Sequence, residues 1–96
     1  MDGVFKALAH PVRREILAML RSGPLPSGEI AAAFDLSWPT MSVHLAALKE
    51  AGLVAAERQG TTILYRLNAS VGEETAALIL DLVGAGGGKK RKERRK

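Results

Sequence analysis

A chain of 96 residues without a cysteine makes one domain with little apolar surface to spare. It excludes a disulfide framework, a thiolate metal site and a thiol redox switch. The net charge of +4 sits at one end: residues 89–96 carry seven Lys or Arg and one Glu, leaving a slightly acidic body of seven basic and nine acidic side chains over residues 1–88.

Val4, Phe5 and Leu8 have the spacing of a short helix with an apolar edge, and Pro11 marks its end or the start of the next. Val12, Ile16, Leu17 and Leu20 follow at helical spacing around Arg13, Arg14 and Glu15, and Gly23-Pro24 closes the segment. Ser27 is expected to cap a third helix, with Glu29 in the first turn at the positive end of the helix dipole. Ile30, Ala33 and Phe34 form its apolar edge. Asp35-Leu36-Ser37 then reads as a three-residue turn into a fourth helix, which makes a helix-turn-helix.

That fourth helix, residues 37–52, has both ends marked. Ser37 suits the N-cap, Pro39 is tolerated in a first turn whose N–H groups lack partners, and Gly52 suits the left-handed residue that stops a helix. Met41, Leu45, Leu48 and Gly52 fall within about 40° of one another at 100° per residue, an inward stripe. Thr40, Val43 and Ala47 face elsewhere, and His44 lies at the boundary. The outer face carries few charges and mostly small or hydrogen-bonding side chains, which suits close approach to another surface.

Residues 53–58 and 62–67 have strand-forming character around a turn at Gln59-Gly60-Thr61. A hairpin beside a helix-turn-helix is a winged helix, whose hairpin tip reaches nucleic acid backbone or minor groove. Asn68-Ala69-Ser70 opens a last helix over 71–83, in which Leu78, Ile79, Leu80, Leu82 and Val83 lie on more than one side. A small domain needs one apolar stripe from a terminal helix. The surplus predicts a two-fold dimer interface made with Val4, Phe5 and Leu8. The expected organisation is therefore mainly α with a small β-hairpin: a winged helix-turn-helix over 1–83, homodimeric through its first and last helices, and a flexible Gly-rich and basic tail over 84–96.

The run Leu8-Ala9-His10-Pro11-Val12-Arg13-Arg14-Glu15-Ile16-Leu17 resembles the "ALADPTRREIL" opening of the bacterial ArsR family of winged-helix repressors. Gly28-Glu29-Ile30-Ala31, Leu36-Ser37-Trp38-Pro39-Thr40-Met41-Ser42, His44-Leu45, Leu48 and Ala51-Gly52-Leu53-Val54 are similar to its "GELA…LSQPTVSHHL…L…AGLV" core. Arg58, Gly60 and Tyr65-Arg66-Leu67-Asn68 resemble its wing, and the likeness runs without gaps over residues 4–68. Many members sense metals through Cys on the third helix or Asp and His on the last. Here the last helix offers Glu73, Glu74 and Asp81 but no His, and carboxylates alone seldom make a selective transition-metal site. The chain looks most like the metal-independent, SdpR-type branch. That resemblance implies a dimer that binds double-stranded DNA at an inverted-repeat operator and represses its own operon, with no metal and no cofactor.

The resemblance carries DNA contact to Thr40, Ser42 and His44. Hydroxyls near a helix N-terminus can meet phosphate or a base edge. Trp38 stands where the family usually has Gln or Lys, and either stacks on sugar and phosphate or packs over the helix start as a core-side staple. Val43 replaces the usual first His and can touch a thymine methyl without donating a hydrogen bond. His44 either reads DNA or packs against the body. Arg58 is the candidate for a narrowed minor groove, with Gln59 and Thr61 beside it at the wing tip. Arg13 and Arg14 are open between facing phosphate and solvation.

Two separated histidines, no cysteine and no glycine loop ahead of a helix argue against an enzyme. The rival reading is a winged helix used for protein contact or for RNA. Met1-Asp2-Gly3 has no basic n-region and no apolar run approaches the roughly 18 residues of a membrane span, so a cytoplasmic protein without a membrane partner is expected.

Overall fold

The computed structural model describes residues 2–84, so the expected tail lies outside the described residues apart from Gly84. The helices are α1 (Asp2–Leu8), α2 (Pro11–Met19), α3 (Ser27–Ala32), α4 (Trp38–Glu50) and α5 (Ala69–Leu82), with a 3₁₀ turn at Leu20–Ser22. The strands are β1 (Leu25–Pro26), β2 (Val54–Gln59) and β3 (Thr62–Leu67). Pro11 opens α2, and the Arg14 Nη1 donates to the Leu8 carbonyl at 2.7 Å. A cation thus closes the C-terminal end of α1, where carbonyls lack partners. This cap is neither of the roles considered for Arg14 from the sequence.

The sheet has one strand more than the expected hairpin. Its order is β1-β3-β2, all antiparallel, with Leu25 opposite Tyr65 and Pro26 opposite Leu64. A two-residue strand ending in Pro is tolerated because it lies at the edge. Its pairing holds Pro26 extended (φ −70°, ψ 150°), so α3 starts at Ser27 with Pro26 in the cap position and no side-chain cap bond. Ser27 is therefore the first helical residue rather than the cap. The turn from α3 to α4 is also longer than the three residues expected. The N–H groups of Ala33 and Phe34 donate to Ile30 and Ala31 at 3.1 Å each, and α3 stops before them.

α4 is bounded as its sequence predicts. Ser37 is its N-cap and accepts from the Thr40 N–H. At the other end the Leu53 N–H donates to Leu48 and the Gly52 N–H to Lys49, both at 3.0 Å, with Gly52 at φ +80°. These paired bonds are a Schellman motif, and its usual apolar contact partners, Leu48 and Leu53, are both buried. Met41, Leu45 and Leu48 join Ile16, Leu20, Ile30, Val54, Val4 and Ala7 in one core. The helix is locked through one face.

In the wing, Gln59 pairs with Thr62, leaving Gly60-Thr61 as a two-residue loop. Gly60 has φ +65° and Thr61 does not have positive φ, which fits a type II′ hairpin turn. The last helix begins at Ala69, earlier than expected, because the Asn68 N–H donates to the Leu53 carbonyl at 2.9 Å and ties the start of α5 to that of β2. Val71 packs on the core and Thr75 is buried, its hydroxyl donating to the Val71 carbonyl at 2.8 Å. Leu78 is half-buried, while Ile79, Leu80, Leu82 and Val83 are exposed. Val4 departs from the expected interface set: it is 6% exposed and faces the core of its own chain, leaving Phe5 as the exposed apolar side chain of α1. Among the described residues no helix is long and apolar enough to cross a membrane.

Candidate nucleic-acid interface

The residues singled out on α4 lie on its exposed sides: Val43 points away from the core stripe, Thr40 and Ser42 flank it, and Trp38 stands at the helix start. Trp38 is 52% exposed and Val43 60%, and Thr40 and Ser42 are exposed with them. About half of the Trp38 surface is covered and half is open. Its indole stands at the first helical position, where it can reach a partner. The Ser37 Oγ accepts from the Thr40 N–H at 3.4 Å and donates to Thr40 Oγ1 at 3.0 Å. The Thr40 O–H is thereby left to donate outward, at a helix N-terminus that itself favours a phosphate.

His44 is half-buried and accepts at Nδ1 from the Nε–H of Arg13, at 3.1 Å. The ring of His10, which holds the N-cap position of α2 without a side-chain cap bond, lies 5.7 Å away between centroids. Two histidines far apart in the chain are thus neighbours, and Arg13 is paired rather than solvated. Burial, then the charge of Arg13, then that of His10 lower the His44 pKa from its ordinary 6.5, keeping the imidazole neutral at neutral pH. No local signal announces this cluster; it exists because α2 packs on α4.

On the wing, Arg58, Gln59 and Thr61 are all exposed at the tip, and Arg58 Nη1 donates to the Gly60 carbonyl at 3.4 Å. Arg66 pairs instead with Glu57 across the strands at 3.3 Å. That pair is too exposed to stabilise the hairpin much, but it offsets the charge of Arg66 and leaves Arg58 as the cation nearest the tip. The α4 face and the wing side chains lie on consecutive elements, joined by the Gly52 turn.

A helix-turn-helix whose second helix is anchored on one side and open on the other, followed by a hydrogen-bonded hairpin, defines a winged helix-turn-helix domain. The helix-turn-helix domain family matches residues 8–57. The transcriptional repressor SdpR of Bacillus subtilis is 38% identical over 86 residues, which cover 90% of this chain and 96% of SdpR. Among solved structures, an ArsR-like transcriptional regulator from Rhodococcus sp. RHA1 superposes with a TM-score of 0.76 at 29% identity, covering 98% of this chain and 88% of that one. A homodimeric winged helix-turn-helix DNA-binding domain from Mycobacterium bovis, a possible ArsR-family regulator, gives 0.70 at 36% identity, covering 86% and 78%. The chain belongs to the ArsR family of winged helix-turn-helix transcriptional regulators, a family of regulators and not of enzymes.

Proposed function

We propose that this protein is a metal-independent transcriptional repressor of its own operon, acting in the cytoplasm as a homodimer on an inverted-repeat operator. The observation that carries the reading is the exposed surface of α4: Trp38, Thr40, Ser42 and Val43 are open to solvent on a helix whose inner stripe is fixed by Met41, Leu45 and Leu48. Metal independence is supported by the donor set. The chain has no cysteine, and among the described residues no three His, Cys, Asp or Glu side chains gather as ligands. The exposed apolar end of α5 supports the dimer, and two-fold symmetry sets half-sites about one helical turn or somewhat more apart. Autorepression follows from the likeness to the metal-independent branch.

Selection of genomic fragments of the source organism at two salt concentrations tests the reading. An inverted repeat upstream of the protein's own gene, retained at the higher salt, is the expected result. Retention without any shared sequence, lost at higher salt, overturns it and favours protein contact, a reading to which the exposed Leu36, Trp38 and Val43 lend themselves. Val43→Glu is expected to weaken operator binding by about 100-fold or more, because a carboxylate against the DNA adds like-charge repulsion of several kcal/mol. Its unfolding free energy should change by less than about 0.5 kcal/mol, as for an exposed position. Titration of the labelled operator beside denaturant unfolding checks both.

The basic segment 89–96 adds sequence-independent affinity to the acidic body, since each phosphate neutralised releases counterions. Removing residues 85–96 is expected to flatten the slope of log affinity against log salt by about 3 to 6, with the preferred operator unchanged. An unchanged slope would mean that the segment serves solubility only.

A further inference from the structure

The bond from Arg13 to His44 determines more than the position of a ring. A neutral imidazole carries its proton on one nitrogen, and the nitrogen that accepts a hydrogen bond is the one without it. With Nδ1 accepting from the Arg13 Nε–H at 3.1 Å, the proton must sit on Nε2, at the far side of the ring. Arg13 always carries its proton and cannot reverse the bond. The lever lies in α2, 31 residues before the side chain it controls. His10, 5.7 Å away, is the other titratable group facing the ring.

We infer that Arg13 is a positioning residue for operator specificity: it holds His44 in the Nε2–H tautomer, so that His44 meets the operator as a hydrogen-bond donor. The inference rests on the DNA-binding reading above and deepens it. A donor pairs with purine N7, guanine O6 or thymine O4 in the major groove, whereas cytosine presents only its N4 amino group, itself a donor. The base facing His44 is therefore a purine or thymine, and cytosine is rejected there. Without Arg13 the ring can place its proton on either nitrogen, and rejection of cytosine weakens.

The test has two independent arms. In the free wild-type protein, two-bond nitrogen–proton correlation spectra of the His44 ring at neutral pH should give an Nε2–H tautomer. In Arg13→Ala the two ring nitrogens should move toward each other in shift. A wild-type Nδ1–H tautomer overturns the inference whatever the protein binds, and whether or not the variant folds well. In the second arm, the operator position read by His44 is the one whose base preference disappears in His44→Ala. There Arg13→Ala is expected to lose about 3- to 10-fold of the discrimination against cytosine, the size of one hydrogen bond. It should have no further effect on that preference in the His44→Ala background. Full discrimination in Arg13→Ala, or an equal loss in both backgrounds, overturns the inference while the repressor reading stands. If the wild type selects no operator, the repressor reading fails, and the spectra still decide the tautomer.

Discussion

Leu45→Ala is expected to lower the unfolding free energy by about 3 to 5 kcal/mol, the range for a leucine truncated where the surroundings cannot collapse. Leu45 is fully buried between Met41 and Leu48 on the inner face of α4, and those side chains share the core with Ile16 and Ile30 from α2 and α3. Three helices therefore meet at one cavity, and none can close it without moving against the other two. A domain of this size has about 5 to 10 kcal/mol in total, so the loss takes a third or more of its stability and lowers the melting temperature by about 15 °C or more. Val43, two residues earlier on the open face, is the control: Val43→Ala should stay within about 0.5 kcal/mol. Both variants are to be unfolded in denaturant at one protein concentration, since dimerisation adds stability that depends on concentration. A loss below about 1 kcal/mol for Leu45→Ala would mean that α4 is not anchored through this face.

That helix was the most legible part of the chain because each of its signals is local. The Ser37 hydroxyl needs only the N–H of Thr40, and the stop at Gly52 needs only the carbonyls of Leu48 and Lys49. The inward stripe follows from helical periodicity, whereas the wing turn is one residue shorter than the Gln59-Gly60-Thr61 expected, because Gln59 pairs with Thr62. What escaped was made by distant partners. Leu25 and Pro26 become a strand only because Tyr65 and Leu64 lie beside them, and that pairing moves the start of α3. Arg14 caps α1 and Arg13 meets His44 across the packing of helices. Val4 and Phe5, adjacent in sequence, could not be divided between core and surface by spacing alone. The candidate site was thus readable as a set of positions on α4, while the hydrogen bond that sets its chemistry was not.

Replacing Ile79 and Leu82 together by Asp is expected to leave a folded monomer and to remove operator binding. At 100° per residue the apolar side chains of α5 span an arc of roughly 200°. Val71, Thr75 and Leu78 take one part of it against the body. Ile79, Leu80 and Val83 occupy the rest, and Leu82, 72% exposed, extends beyond the body altogether. Water does not favour such a surface, and in a two-fold interface each side chain counts twice. Loss of even one leucine-sized burial per copy removes about 3 to 6 kcal/mol from the dimer, a rise of about 10²-fold or more in its dissociation constant, before the repulsion among four new carboxylates is added. Two half-sites bound by linked domains gain from effective concentration; two separate monomers do not, so operator affinity falls with the dimer. Glu74→Ala, on the opposite side of α5, should change neither. Light scattering behind size exclusion gives the mass, and a titration of operator DNA the affinity. A variant that remains dimeric would move the interface off α5; one that dissociates yet keeps full operator affinity would mean that each domain reads its half-site alone.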